Sequence, residues 1–331
     1  MNSFAYAAAP TVAQAISTRA ALPTSSFIAG GTNLLDLMKE RVARPTALID
    51  LAPLPLRHIS STPAGGLLLG ALVTNSETAY DASVVQRYPL LSKAILAGAS
   101  AQLRNMATNG GNLMQRTRCA YFYDGQAPCN KREPGTGCAA IGGISRNHAI
   151  LGGSEHCIAT YPSDMATALA ALEARVHVQG PEGSRTIDLA DFHRLPEHAP
   201  ERDNTLRAPE LILAIELPPE GFADHYAYLK VRDRSSYAFA LVAVAVGLTL
   251  ADGRITAARL ALGSVAAKPW RDPAAEALLI GQLPTAEVFR QAAEHLLYGA
   301  TSTGQNDFKI ELAKRAIVRA GLLATAQTPA A

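Results

Sequence analysis

Hydrophobic and polar positions along this chain fall into three successive patterns. Over the first 60 residues, short apolar runs alternate with one helical stretch. A strand-like run at 26–29 ends in Gly30-Gly31, Thr32 or Asn33 is placed to cap a helix over 34–40, and 46–50 reads as a second strand before a turn marked by Pro53 and Pro55. A second pattern opens near Gly66 with an apolar strand at 67–69. Thr74-Asn75-Ser76-Glu77 has the form of a capping box for a short helix, and Pro89 begins an alanine- and leucine-rich helix through residue 99. The span 104–157 then loses periodicity and carries nine glycines, so it reads mainly as loop. A loop of that length inside a folded domain is usually functional or disordered. Periodicity returns with an amphipathic helix over 162–175, followed by strands near 176–178 and 211–217.

Beyond Pro218-Pro219-Glu220-Gly221 the pattern changes again. Long strand candidates lie at 226–231, 238–250 and 255–263, the last two joined by the hairpin signal Asp252-Gly253. Helical stretches follow at 273–280, 285–298 and 306–324, and the final alanine- and proline-bearing residues are expected to fray. This part reads as a separate α+β domain, a small antiparallel meander with helices on one face.

Composition narrows the class. With 331 residues, 48% hydrophobic and 18% charged, the chain can bury the cores of two or three domains and is too apolar for disorder. A formal net charge of +2 without long runs of one sign argues against a nucleic-acid surface. The longest apolar run, 238–250, is interrupted by Gly247 and Thr249 and is shorter than the roughly 20 residues a membrane-crossing helix needs, so no membrane insertion is expected. The N-terminal stretch lacks the basic region and continuous apolar core of an export signal, which leads to the expectation of a chain made in the cytosol with no signal of its own.

The chemistry concentrates in three places. Gly30-Gly31 lies between a strand and a helix start, and Thr108-Asn109-Gly110-Gly111-Asn112 offers a second glycine-rich loop. Glycine lets backbone N–H groups approach an anion closely, so a pyrophosphate is a natural ligand, and bulk at Gly30, Gly31 or Gly111 would be expected to eject it. A plain tight turn explains either loop alone; two together favour a shared ligand. The spacing is not that of the G-x-G-x-x-G fingerprint, which disfavours a Rossmann fold. All four cysteines, Cys119, Cys129, Cys138 and Cys157, fall within one 39-residue stretch directly after the second loop. Without a C-x-x-C knuckle a zinc ribbon is disfavoured, and four thiolates suit a [4Fe–4S] cluster beside a flavin. Two disulfides, a structural zinc or unrelated buried thiols remain open. His148 and His156 read as loop histidines and not as further ligands. Asp164 reads as part of a helix cap, and Lys230, in a charged run ending a strand, as a solvated group or a cation facing a flavin ring.

The segments 27–33, 104–112, 162–164 and 230–241 resemble the FAD-binding subunits of the xanthine dehydrogenase/molybdenum hydroxylase family, and the likeness runs over about residues 3–325. The four-cysteine loop is similar to that of the flavin subunit of three-subunit periplasmic aldehyde oxidoreductases. The resemblance implies an α+β chain. A vanillyl-alcohol-oxidase-type FAD-binding fold of two α/β subdomains would occupy 1–60 and 61–220, the second carrying a cluster loop at 115–157. A C-terminal domain with a three-stranded antiparallel sheet and helices would occupy 221–331. It further implies that Phe27, Ile28, Ala29, Gly30, Gly31, Thr32, Asn33 and Leu34 hold the FAD pyrophosphate. Thr108, Gly111 and Asn112 would line the other side of the cofactor, Asp164 would bind the adenosine half, and Lys230 would sit near the isoalloxazine. Cys119, Cys129, Cys138 and Cys157 would ligate the cluster.

The implied activity is electron transfer. Electrons from aldehyde oxidation on a large molybdenum-cofactor subunit would pass through the [2Fe–2S] clusters of a small subunit to FAD here, and on to an external acceptor. The heterotrimer would be periplasmic by co-export with a signal-bearing partner, or cytoplasmic if that partner lacks a signal. A benzoyl-CoA-type reductase subunit, a stand-alone FAD oxidoreductase and a zinc-stabilised assembly subunit are the alternatives.

Overall fold

The computed structural model describes residues 1–326; the expected frayed end and the last positions of the C-terminal domain, 327–331, lie outside the described residues. Three sheets organise the chain. The first is parallel and three-stranded, with Ala47–Asp50 between Ala5–Ala8 and Ser25–Ile28. Helices Val12–Ala21 and Leu34–Lys39 connect its strands. Strand Ala5–Ala8 has no β-branched residue and is exposed along its length, so neither propensity nor alternation announced it. Gly30-Gly31 leaves the carboxyl end of Ser25–Ile28, the edge at which ligands gather in parallel sheets.

The second sheet is five-stranded, in the order Ile59–Ser61, Leu67–Gly70, Leu211–Leu217, Arg175–Gly180, Gly183–Asp188, and every neighbouring pair is antiparallel. Helices Asn75–Tyr80, Pro89–Ala97 and Asp164–Ala171 share its core, where Leu169, Val176, Ile215 and Leu217 are wholly buried. The capping box forms as its sequence predicts: Thr74 Oγ1 accepts from Glu77 N, and the Glu77 carboxylate accepts from Thr74 N.

The C-terminal sheet pairs His225–Val231, Val242–Ala251 and Arg254–Gly263 in an antiparallel meander, and a two-residue edge strand, Trp270–Arg271, adds a fourth member. Of the apolar run at 238–250 the strand takes up only Val242 onward, with Phe239 exposed before it, and Val242 to Leu248 are buried on both faces. Val242, Val244, Val246 and Leu248 face helices Ala286–Leu296 and Phe308–Thr325, whereas Ala245 and Ala261 join the core around Asp164–Ala171. Each fully buried Val or Leu contributes about 1.5–3 kcal/mol. Small residues are needed on the second face: a Cβ at Gly263 would lie 2.4 Å from Thr167 Oγ1.

The long loop is ordered without strands of its own. It holds helices Asn109–Leu113 and Ala120–Tyr123 and isolated bridges Cys129–Cys138 and Ser154–Cys157. Polar side chains brace a small apolar cluster of Leu37, Phe122 and Cys129 here. Arg132 donates to the carbonyls of Tyr121, Phe122 and Ala127, and Asn130 Oδ1 accepts from the amides of Gly135 and Gly137. Among the described residues, no helix is long and apolar enough to cross a membrane.

Candidate functional site

The two glycine loops touch. A Cβ built on Gly30 would fall 1.7 Å from the carbonyl oxygen of Met106, so its missing side chain makes room for the second loop and not for a ligand. Gly31, at φ +71°, occupies the left-handed region, and its Cβ would meet the side chains of Leu35 and Ile28. Gly111 differs from both: its Cβ direction is open apart from Thr108 Oγ1 at 3.0 Å. Of the three glycines only Gly111 presents an open face, whereas bulk at Gly30 or Gly31 would first meet neighbouring protein atoms.

Polar side chains fix the loops against one another. Asn33 stands at the start of helix Leu34–Lys39 yet gives it no side-chain cap, because its Oδ1 accepts from Arg116 N at 2.9 Å. Thr108 Oγ1 accepts from Gly111 N, and Asn112 is held by Asn75 Oδ1 at 2.7 Å and by Ser163 Oγ at 2.6 Å.

Two cavities open on either side of this junction. One, of about 380 Å³, is lined by Asn112, Asp164, Lys230, Arg118, Tyr237 and Phe239 among others. The second, of about 520 Å³, is bordered by the first loop from Phe27, Ile28 and Ala29 through Leu34, by Thr108, and by residues 206–212. Thr32, Asn33 and Gly111 line both. Each volume is in the range of small-molecule sites. A ligand made of two bulky halves joined by a narrow anionic bridge fits this shape, with the bridge at the shared residues.

Asp164 and Lys230 cannot serve opposite ends of such a ligand, and that division of roles is corrected. Their charged atoms are 2.7 Å apart, with side chains only 9% and 5% exposed, and Tyr228 donates to the same carboxylate at 2.6 Å. Lys230 also donates to the carbonyl of Ala97. The helix cap itself is Ser163, whose Oγ accepts from Ala166 N, which leaves Asp164 free to pair. The pair thus clamps the C-terminal sheet to helix Asp164–Ala171 at one cavity wall. Removing one partner strands a buried charge: Lys230→Met is expected to cost about 3–5 kcal/mol, and Lys230→Met with Asp164→Asn substantially less. Denaturant midpoints of the two variants check this; equal losses would count against a clamp.

All four cysteines are free in this fold. Cys129 and Cys157 are buried, and Cys119 and Cys138 are partly exposed. The thiols are neighbours: Cys119 feels the charge of Cys129 and Cys157, and Cys157 that of Cys138 and Cys129. Burial pushes the Cys119 thiol up to about 11 and raises Cys157 too, with Lys131 opposing the latter. Bare thiols at Cys119 and Cys157 would stay protonated at neutral pH, and a bound metal would be needed to hold them as thiolates. Among the described residues no three of the sulfur atoms lie within 4.8 Å of one another. Cys119 Sγ is also 3.1 Å from Nε2 of His148, the residue read from sequence as a loop histidine.

Other side chains had no local sequence signal. Asp203, 72 positions from Lys131 in the chain, pairs with Lys131 at 2.6 Å and Arg116 at 2.5 Å. Burial works to raise its carboxyl, but Lys131 and Arg116 override this and hold it below its ordinary value. Arg118, next to Cys119, lies over the Phe239 ring and reaches the cavity wall. Lys309 is fully buried and donates to the carbonyls of His148 and Ser264 at 2.9 and 2.7 Å, and burial lowers it to about 7.

Paired cavities meeting at two glycine loops, in an α+β fold of this plan, define a dinucleotide-binding protein. The chain belongs to the flavoprotein family of the molybdopterin dehydrogenases: residues 2–220 match the FAD binding domain in molybdopterin dehydrogenase, and residues 226–324 the CO dehydrogenase flavoprotein C-terminal domain. It is thus an FAD-binding component of an oxidoreductase. The chain is 50% identical, over 331 residues and 100% of both chains, to the aldehyde oxidoreductase FAD-binding subunit PaoB of Escherichia coli K12. It is 28% identical over 307 residues, 90% of each chain, to the nicotine 6-hydroxylase medium subunit of Paenarthrobacter nicotinovorans. Among solved structures, quinoline 2-oxidoreductase from Pseudomonas putida 86 superposes with a TM-score of 0.75 at 27% identity, covering 98% of this chain and 97% of that one.

Proposed function

We propose that this chain is the FAD- and [4Fe–4S]-carrying electron-transfer subunit of a molybdenum-dependent aldehyde oxidoreductase. The observation that carries the substrate class is the 50% identity over the whole length of both chains to an aldehyde oxidoreductase FAD-binding subunit. The paired cavities support FAD as the occupant: Thr32, Asn33, Gly111 and Thr108 border the place for its pyrophosphate, and Asn112 and the Asp164–Lys230 pair border one half. Bound there, FAD would take up electrons arriving from aldehyde oxidation through [2Fe–2S] clusters and release them to an external acceptor. The chain's own residues fix the loops against one another and keep the Lys230 charge paired.

The cluster reading rests on four free, neighbouring thiols on one loop. A medium subunit implies others, and a small [2Fe–2S] subunit and a large molybdenum-cofactor subunit are the proposed partners. The expected result is that aldehyde bleaches the flavin absorbance of the assembled complex and leaves the isolated, flavin-loaded chain unchanged. Bleaching of the isolated chain would instead make it a stand-alone oxidoreductase, and a colourless isolated protein would oppose the flavin reading. We place the complex in the periplasm, exported folded on a twin-arginine signal of the small partner. Cell fractionation with that partner present should recover this chain outside the cytosol.

A further inference from the structure

Beside the cysteine loop, and separate from it in chemistry, three other ligand-type side chains converge. We propose that Glu155, His156 and His198 form a surface site for one divalent transition ion of the zinc type, which ties the last turn of the cysteine loop to the segment around Glu197 and His198. One donor atom from each residue lies within 4.8 Å of the other two. His156 Nε2 is 3.3 Å from His198 Nδ1 and 3.4 Å from Glu155 Oε1. Tetrahedral zinc with ligand bonds of ~2.0–2.1 Å sets neighbouring donors about 3.3–3.4 Å apart, the separations found here.

The donors are held by backbone on both sides. His156 N donates to Ser154 Oγ at 3.2 Å, its carbonyl accepts from Asn130 Nδ2 at 3.1 Å, and Ser154 Oγ donates to the carbonyl of Glu197 at 2.9 Å. On the other side Ala199 N closes a turn onto Pro196 O, so His198 projects from a fixed bend. The two imidazoles meet edge-on, at 63° with centroids 5.5 Å apart, and share a 3.3 Å hydrogen bond that an ion would replace. Two imidazoles and a carboxylate are a zinc-type donor set with a fourth position for water, and Glu155 and His156 are open enough to solvent to admit it. The site uses none of the cysteine sulfurs and no residue of the paired cavities.

The test uses the full-length protein with its cofactors in place. It is incubated with zinc, desalted and analysed for zinc and iron, alongside His198→Asn and Glu155→Gln. Wild type should retain about one zinc more per chain than His198→Asn, with equal iron in both. Copper(II) titrated into the same proteins should give electron paramagnetic resonance hyperfine structure from two imidazole nitrogens in wild type and from one in His198→Asn. Zinc should also raise the melting temperature of wild type and leave that of His198→Asn unmoved. All these proteins share the same four cysteines, so zinc captured by thiols cancels between them. Equal zinc in wild type and His198→Asn, or a copper spectrum indifferent to His198, would overturn the site.

Discussion

Serine at any one of Cys119, Cys129, Cys138 or Cys157 is expected to lower the iron of the purified protein from about four atoms per chain to near none. Thiolate is the soft ligand that iron–sulfur chemistry needs, and a hydroxyl is a hard and weakly acidic replacement. The effect should be steepest at Cys129 and Cys157, which are 7% and 4% exposed, because serine there also buries a hydroxyl. Cys157→Ser has a further consequence. Its carbonyl accepts from Ser154 N and its sulfur from Ala159 N at 3.4 Å, so the end of the loop is tied to that residue. Limited proteolysis should cut the Cys157→Ser protein faster between Cys129 and Cys157. FAD content should hold in all four, since no cysteine lines either cavity. If every single variant kept its iron, the four thiols would not be a ligand set.

Local sequence signals predicted local structure well and long-range pairing poorly. The capping box at Thr74–Glu77 and the hairpin at Asp252-Gly253 are decided by residues a few positions apart, and both form. The run at 238–250 announced a buried strand, and the alternation of valine with alanine inside it fits a sheet covered on both faces. Strand Ala5–Ala8 was invisible because alanine carries no β signal; pairing with Ala47–Asp50 specifies it, through Tyr6 opposite Leu48 and a Tyr6–Asp50 hydrogen bond of 2.6 Å.

The site was legible as a set of residues and illegible as a set of partnerships. Asp164 and Lys230 were both named from sequence and given to opposite ends of one ligand. Nothing in a chain order that separates them by 66 positions reveals a shared ion pair. Asp203 was missed for the same reason: an acidic residue in a polar loop resembles any solvated carboxylate until Lys131 and Arg116 close on it. His198 is ordinary in sequence and acquires meaning only 3.3 Å from His156.

Alanine at Gly30 is expected to remove FAD and destabilise the protein together, whereas alanine at Gly111 should remove FAD and leave the fold in place. The added Cβ at Gly30 would lie 1.7 Å from Met106 O and 2.6 Å from its carbonyl carbon. Both are backbone atoms, so relief requires the two loops to part, and overpacking of this kind costs about 1–3 kcal/mol or more. Parting them also separates Thr32 and Asn33 from Gly111, the residues common to both cavities. At Gly111 the nearest obstacle is the Thr108 hydroxyl at 3.0 Å, the backbone is helical, and alanine suits a helix better than glycine. A methyl group there projects into the junction without prising the loops apart. Gly31→Ala should fall between them, folded but strained at φ +71°, with the Leu35 side chain moving aside. Extracted flavin and melting temperature, measured on all three variants, separate the two effects. Full FAD occupancy in Gly111→Ala would move the pyrophosphate away from the junction, and an unchanged melting temperature in Gly30→Ala would mean that the contact with Met106 does not hold the loops together.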